Sequence, residues 1–197
     1  MKRVTSLRHT ALPALLSAAP LAIAAALLAL SLAGPARGQS ANANSVDVGE
    51  QVSDTNAVRD GLFPEDACKE LEANGFKCMG FKPAIRYSLP AASFKVGSAE
   101  LPELLKKQLD VFADVLRSKR GSSQQVRVVG HADASGTPEV NDALSLRRAE
   151  AVKTYLVQKG ADPDMLIVIG DGSKNPVNPA NPLGAENRRV EIGRTAP

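Results

Sequence analysis

One arginine of this sequence lies in the middle of an apolar helix face. At about 100° per residue, Val140 and Leu144 set the apolar direction of a helix predicted over residues 138–160, and Arg148 falls within that face at about 80°. Its neighbour Arg147 falls on the flank, where it reaches water. Taking a guanidinium out of water costs several kcal/mol unless an anion meets it. We therefore expect a negative group at Arg148.

Three more polar residues are expected near Arg148. Asp133 directly follows a predicted buried strand, at a place where sheets present ligand-binding groups. Arg188 has the same place in the alternation as the apolar residues of the last predicted strand, so it is expected to begin the row of side chains that points inward. Asn141 lies on the same side of the helix as Arg148. The sequence thus predicts that a carboxylate, two guanidiniums and an amide lie close together at one rim of the predicted fold.

This set of groups suits a zwitterionic ligand. Asp133 would bind an ammonium, and Arg148 would hold a carboxylate in a two-pronged grip, with Asn141 and backbone amides completing the site. An internal ion pair between Asp133 and Arg148, tying a loop to a helix, accounts for the same residues without a ligand. The residues by themselves leave both interpretations open.

The sequence lacks the residues for most catalytic and metal chemistry. After residue 38 the one histidine is His131, which we interpret as a satisfied core histidine. With Cys68 and Cys78 paired, a zinc site of His and Cys ligands cannot be assembled, and a Ser-His-Asp site would have to use His131. The sequence contains no phosphate-loop, dinucleotide or Gly-x-Ser-x-Gly motif. We predict a protein that is not an enzyme and has no metal or cofactor.

Composition argues against a nucleic-acid partner. The 197 residues include 24 Lys and Arg against 21 Asp and Glu, for a net charge of +3. Four basic and no acidic residues fall in the first 38 positions, so the rest holds 20 basic and 21 acidic side chains, a net charge of −1. Such a body, with no Trp and 4% aromatic residues, offers neither a phosphate-neutralising surface nor stacking platforms for bases.

Residues 1–38 have the pattern of a secretory signal peptide. Three basic residues precede an Ala- and Leu-rich stretch, and small residues lead to an expected cleavage after Gly38, or nearer Ala33 or Gly34. An uncleaved anchor is the alternative, but the longest stretch free of proline and charge, 21–34, is shorter than the ~20 residues needed to span a bilayer. No cysteine lies near the cleavage site, so a lipid-modified N-terminus is not expected.

The next 46 residues are predicted to lie outside the main domain. Residues 39–60 are polar and without sustained period, which is typical of a flexible leader. Residues 61–84 form a small segment in which a short helix ends at Asn74-Gly75 and the chain folds back, so that Cys68 and Cys78 form a disulfide in an oxidising compartment. Two buried free thiols are the alternative.

From residue 85 onward the hydrophobic periodicity is regular. It predicts strands over 85–89, 126–130, 165–169 and 188–192, and helices over about 101–118 and 138–160. The apolar run in 126–130 indicates a central strand buried on both faces. The predicted fold class is α+β: a two-layer sandwich of order β-α-β-α-β-β, with both helices on one face of a mixed sheet.

Three segments, 128–136, 144–152 and 187–192, resemble the signature segments of the OmpA-like C-terminal domain, and the likeness extends over about 85–194. The resemblance implies this same fold, no catalysis, and noncovalent binding of cell-wall peptidoglycan through the diaminopimelate of its stem peptide. It also implies a peptidoglycan-binding set in this sequence: Asp133 and Arg148 as the principal residues, with Asn141, Ser135 and Arg188 in support.

One residue departs from the pattern of that family. Lys95 stands where relatives usually carry an acidic residue before the first helix of the domain. A cation there would either weaken the contact to a ligand ammonium or shift preference towards a stem with an extra free carboxylate. Both outcomes are compatible with the sequence.

The resulting expectation is an exported, wall-binding protein of the periplasm, peripherally associated with the cell outer membrane of a Gram-negative bacterium. The main alternative is a protein-interaction module that keeps the fold and uses residues 39–84 to dock an envelope protein partner. An anchored subunit of a motor or secretion machine is a third possibility, and it would require an uncleaved N-terminal helix.

Overall fold

A five-stranded mixed sheet carries the helices of the chain. The computed structural model describes residues 45–80, 83–89 and 94–194, all of which belong to one compact unit. The predicted signal peptide lies outside these residues. The elements in chain order are β1 Ser45–Asp47, α1 Thr55–Leu62, α2 Pro64–Ala73, β2 Arg86–Leu89, α3 Glu103–Ser118, β3 Val126–Gly130, α4 Pro138–Gln158, β4 Leu166–Gly170 and β5 Val190–Arg194.

The order of strands across the sheet is β1-β2-β5-β3-β4. β1 pairs with β2 and β3 pairs with β4 in parallel, while β5 runs antiparallel to both β2 and β3. From β2 to β5 the chain follows the predicted order of four strands and two helices. The predicted α+β sandwich on a mixed sheet is therefore confirmed, and β1, α1 and α2 add to it at the N-terminal side.

The register of the sheet places one row of apolar residues under the helices. Tyr87 is opposite Ile192, which is opposite Val128, and all three are buried. Side chains alternate between the two faces of a strand, so this row shares a face with Val190 and Val126. The ring of Tyr87 meets that of Phe112 on α3 edge-on, with 5.4 Å between centroids. This side of the sheet holds the core.

Glycine at the end of β3 lets α4 lie directly on the sheet. A Cβ on Gly130 would fall 1.9 Å from the carbonyl oxygen of Ser145. At the end of β4, a Cβ on Gly170 would fall 2.7 Å from the backbone nitrogen of Leu146. The helix backbone thus touches both strand ends, and the residues that follow β3 are held close to the middle of α4.

β3 has a neighbour on each side, as predicted, but the prediction that both its faces are buried is wrong. Val126 and Val128 are fully buried on the helix side, whereas Arg127 is exposed and Val129 is half-buried on the other. Aliphatic residues are common in strands for reasons of backbone preference as well as burial. The second face is partly open to solvent.

Part of the segment predicted as a flexible leader, 39–60, lies in elements of the fold, since β1 covers residues 45–47 and α1 begins at residue 55. β1 extends the sheet, and Asp54 caps α1 by accepting hydrogen bonds from two backbone amides of its first turn. Val58 and Leu62 on α1 are fully buried. The Tyr87 hydroxyl donates to the Ala57 carbonyl at 2.9 Å. The apolar residues of this segment are too few to give a period, but they complete the core.

The cysteine-bearing segment folds as predicted but does not form a separate core. α2 ends at Asn74, Gly75 follows with φ of +82°, and Cys68 and Cys78 are joined in a disulfide. Phe63, directly before α2, is fully buried, with the ammonium of Lys119 and the guanidinium of Arg194 over its ring at 5.2 and 5.4 Å. The segment therefore packs into the main domain.

Candidate functional site

Asp133 lies in the turn that leaves the end of β3. Its side chain is buried, and Oδ1 accepts hydrogen bonds from the backbone N–H of Ser135 at 3.0 Å and from the Ser135 hydroxyl. An aspartate that accepts from the amide two residues ahead fixes a turn of its own. The local sequence therefore aims the carboxylate inward, while Ser135 stays exposed at the surface.

The partner of Asp133 is Arg188. Nη1 of Arg188 donates to Oδ2 of Asp133 at 2.8 Å, and both side chains are mostly buried. Burial by itself would raise the pKa of Asp133, but the hydrogen bonds from Ser135 and Arg188 outweigh it and hold the pKa below its usual value. Asp133 is thus a stable anion whose charge is already matched by a cation.

Arg188 reaches this position from a loop and not from a strand, so the prediction that it begins the row of the last strand is wrong. β5 starts at Val190, and Arg188 follows a single 3-10 turn, Ala185–Asn187. Asn187 is buried and braces the loop: its amide donates to the Asn181 carbonyl at 2.8 Å and its oxygen accepts from the Asn178 N–H at 3.1 Å. These side-chain bonds compete with strand pairing.

The guanidinium of Arg148 has no exposed surface, and backbone carbonyls hold it. Nε donates to the carbonyl of Ser98 at 2.9 Å, Nη1 to that of His131 at 3.0 Å, and Nη2 to that of Lys95 at 3.3 Å. The ring of Phe94 lies 4.9 Å from the guanidinium carbon. Residues 94–98, which we call the cover loop, therefore close over Arg148. Each Nη retains one N–H for a further acceptor.

No carboxylate of the described chain forms an ion pair with Arg148, although we expected a negative group there. Burial lowers its pKa to about 10, and the positive charges of Arg188 and Arg147 act in the same direction, against the negative charge of Asp133. The internal pair considered between Asp133 and Arg148 is replaced by the pair between Asp133 and Arg188. The positive charge of Arg148 is left without a full counter-charge.

Asn141 and Ser145 line the same side of α4 as Arg148. The Asn141 amide donates to the Gly136 carbonyl at 3.1 Å and to the Ser173 hydroxyl at 3.4 Å. The Ser145 hydroxyl accepts from the Gly172 N–H at 2.9 Å. Both side chains are buried, so their visible role is to hold the turns after β3 and β4 against the helix.

Comparison with known proteins places this chain in a family. A sequence model described as OmpA family matches residues 93–189. The peptidoglycan-associated lipoprotein of Pseudomonas aeruginosa is 33% identical over 178 residues, which is 89% of this chain and 94% of that protein. The chain belongs to the OmpA family.

Two further relatives share parts of the chain. The peptidoglycan-binding protein ArfA of Mycobacterium bovis is 43% identical over 70 residues, 34% of this chain and 22% of that protein. The crystal structure of the peptidoglycan-associated lipoprotein from Burkholderia pseudomallei is 27% identical, with a TM-score of 0.48, and the match covers 55% of this chain and 89% of that one.

All five residues proposed for the site fall inside the OmpA-family segment, and the structure joins three of them directly. Asp133, Ser135 and Arg188 are linked by hydrogen bonds. Arg148 is joined to them through the backbone of His131 and by its charge, and Asn141 braces the turn that carries Asp133.

Sequence reasoning did not find the cover loop. Phe94 is apolar and gives no sign that its ring faces a guanidinium, and Lys95 and Ser98 contribute carbonyls that every residue possesses. The one feature of the sequence that could have pointed to the cover loop was Arg148 itself. A buried arginine without an acidic partner in sequence must find acceptors somewhere, and backbone carbonyls are the most abundant ones.

A second buried charged cluster lies on the other face of the sheet, next to this site. Arg189 donates to Glu191 through Nε at 2.9 Å and Nη2 at 2.7 Å. His131 is buried, as predicted, but its ring nitrogens are not satisfied by hydrogen bonds within the described residues: Nδ1 lies 3.3 Å from Asp171 and Nε2 3.6 Å from Glu191. Burial would raise the pKa of Glu191, but His131 and Arg189 lower it to about 2.

The described residues also bear on metal binding and on membrane spanning. Over residues 45–80, 83–89 and 94–194, no three His, Cys, Asp or Glu side chains are grouped so that they could hold a metal ion. Within the same ranges, no helix combines the length and the apolar character needed to cross a membrane.

Proposed function

We propose that this OmpA-family protein binds cell-wall peptidoglycan noncovalently and without catalysis, at the site formed by Asp133, Arg148 and Arg188 with Asn141 and Ser135 in support. The observation that carries the proposal is the buried guanidinium of Arg148, which has no carboxylate partner in the described chain and lies beside a buried Asp133–Arg188 pair. Relatives named peptidoglycan-associated and peptidoglycan-binding support the same ligand class.

The proposed ligand group is the free zwitterionic end of diaminopimelate in the stem peptide. Its carboxylate would bind the N–H groups of Arg148, a charge-assisted contact that neutral carbonyls do not match. Its ammonium would approach Asp133, whose Oδ2 is already bound by Arg188. Asn141 and Ser135 would act by holding the turn that carries Asp133.

Because Arg148 is fully covered, direct contact requires the cover loop to move. The carbonyls of Lys95 and Ser98 would leave the guanidinium and the ligand carboxylate would replace them. Gly97 has φ of +71° and Val96 is exposed, so few side-chain contacts hold the tip of the loop. A single stem is expected to bind with a Kd of about 10⁻⁶ to 10⁻³ M, and the repeated stems of the wall raise retention by multivalency.

We place the protein in the periplasm, peripherally associated with the outer membrane. The support is the signal-like pattern of residues 1–38 and the names of its relatives. In that compartment the Cys68–Cys78 disulfide would persist.

Calorimetric titration with two stem peptides tests the ligand. The first contains diaminopimelate, and the second contains lysine, which lacks the distal carboxylate. We expect the wild type to bind the first at least about tenfold more tightly, since the missing contact is a charge-assisted one. Asp133→Asn should weaken binding of the first peptide while leaving the circular dichroism spectrum unchanged. Equal affinity for the two peptides would refute diaminopimelate recognition.

One observation supports a second role, the docking of an envelope protein partner on the cysteine-bearing segment. Phe76 and Met79 are 64% and 91% exposed on a segment that the disulfide holds in shape. Exposed large apolar side chains in one place are typical of interaction surfaces. A Phe76→Ser, Met79→Ser variant that keeps wall binding and still copurifies with the outer membrane to the wild-type extent would exclude this role.

A further inference from the structure

The charge around Arg148 is positive on balance. Three charged groups act on its guanidinium: Arg188 and Arg147 are cations, and Asp133 is the one anion. Glu186 is a second carboxylate near Arg188, and the hydrogen bond that it accepts from the neutral amide of Asn178 at 2.8 Å leaves its charge in place. The cations Arg148, Arg188 and Arg147 still outnumber these two anions. A ligand that fills this site must therefore bring more negative than positive charge if it is to balance it.

The anion of the site is also the group least available to a ligand. Oδ2 of Asp133 accepts from Arg188 at 2.8 Å, and Oδ1 accepts from the N–H and the hydroxyl of Ser135. A ligand ammonium would compete with a guanidinium that is already in place. A ligand carboxylate competes only with neutral carbonyls at Arg148, which makes carboxylates the stronger determinants of binding.

Lys95 adds a further cation at the edge of the same site. Its carbonyl lies 3.3 Å from Nη2 of Arg148, so its backbone borders the guanidinium in the free protein, and Lys95 would remain on the cover loop when that loop moves to admit a ligand. Its side chain is exposed, and it forms no ion pair with any acidic residue of the described ranges. An exposed ammonium without an ion-pair partner, carried by the loop that covers Arg148, is available to a second anionic group of a ligand that is bound there.

We propose that Lys95 is a specificity-determining residue and that the preferred ligand is a stem peptide with a second free carboxylate next to its zwitterionic end. This inference rests on the proposed function, because it assumes that the stem binds at Arg148. The α-carboxyl of the γ-linked glutamate, one residue before diaminopimelate, is the chemically suitable group. Its amidation removes the charge without changing the shape of the stem.

A paired titration tests the role of Lys95. The two probes are the tripeptide L-alanyl-γ-D-glutamyl-meso-diaminopimelate and the same peptide amidated at the glutamate α-carboxyl. We expect the wild type to bind the free acid about two- to fivefold more tightly, the size of one exposed ion pair. The preference should disappear in Lys95→Gln and persist in Lys69→Gln, which changes an exposed lysine on α2. It should also shrink as salt is raised.

The outcomes separate this inference from the function on which it rests. Binding of both peptides with equal affinity by the wild type would overturn the role of Lys95 and leave wall binding intact. A preference that survives in Lys95→Gln would also overturn it, because another cation would then carry the selectivity. Binding of neither peptide would overturn the proposed function and this inference together.

Discussion

Three carbonyls and an aromatic ring surround the Arg148 guanidinium, and none of them carries a full charge. Such an arrangement provides three hydrogen bonds but leaves the charge of the buried guanidinium uncompensated, which is costly for the fold. A ligand carboxylate would supply the missing charge. The cost in the free protein is thus the physical reason to regard Arg148 as a binding residue and not only as a structural one.

Helix geometry was enough to predict that Arg148 is buried, but not what it touches. The residue lies between Ser145 and Val152, which are fully buried, as its angular position on α4 requires. Two of its three acceptors come from a loop about 50 positions earlier in the chain, and carbonyls have no sequence signature. The partner of Asp133 was missed for a similar reason, since two arginines could reach it and only the path of the loop after β4 decides between them.

Glu191 makes a testable contribution to stability. Its pKa falls from an ordinary 4.5 to about 2 in the folded protein, so its contacts with His131 and Arg189 stabilise the fold above pH 4.5, and this contribution is lost as the pH falls towards 2. We expect Glu191→Gln to lower the free energy of unfolding by about 2–3 kcal/mol at pH 7 and by much less at pH 2. Urea titration at both pH values measures this, with exposed Glu50→Gln as control. A difference that is independent of pH would contradict it.

α4 follows its predicted bounds but is rotated from the predicted orientation. Thr137 caps it and Pro138 occupies its first turn. Val140, assigned to the apolar face, is 55% exposed, while Asn141 and Ser145 are buried. The buried face is centred on small and polar residues because the helix backbone touches Gly130 and Gly170. The positions of apolar side chains alone do not identify a helix face whose backbone packs directly against the sheet.

α1 provides a test of whether the N-terminal segment is part of the domain. Leu62 is fully buried among the core residues, so Leu62→Ala should lower the free energy of unfolding by about 2–5 kcal/mol. Val52 precedes the helix and is 50% exposed, so Val52→Ala should change it by less than about 0.5 kcal/mol. Chemical denaturation of the two variants measures the contrast. Equal, small changes in the free energy of unfolding for both variants would support the predicted flexible leader over 39–60.

The short N-terminal elements could not be inferred from pattern because each depends on the rest of the molecule. A three-residue strand and an eight-residue helix are not stable by themselves. They form because the sheet edge at β2 and the surface of α3 receive them, where Gln108 donates to the carbonyls of Gly49 and Gln51 at 2.9 and 3.0 Å. α3 was predicted to within about two residues of its bounds for the opposite reason, since a long amphipathic helix carries its own periodic pattern.

The domain as a whole presents the site on one rim, built from loops of distant parts of the chain. The cover loop, the turn after β3 and the loop before β5 meet there, around the middle of α4. Loops on a rigid sheet and helix can change their contacts without unfolding the core. Under the proposed function, this arrangement would let a covered arginine bind a ligand while the domain stays folded.

The most direct test is cosedimentation of the purified protein with diaminopimelate-type sacculi. Arg148→Lys keeps a positive charge but cannot span the same acceptors, and Arg147→Lys is its matched control, one position away and exposed. Asp133→Asn provides a second site variant, and circular dichroism verifies that each protein is folded. We predict that the wild type and Arg147→Lys pellet with the wall while Arg148→Lys and Asp133→Asn stay in solution. Pelleting of both folded site variants to the wild-type extent would contradict binding at this site.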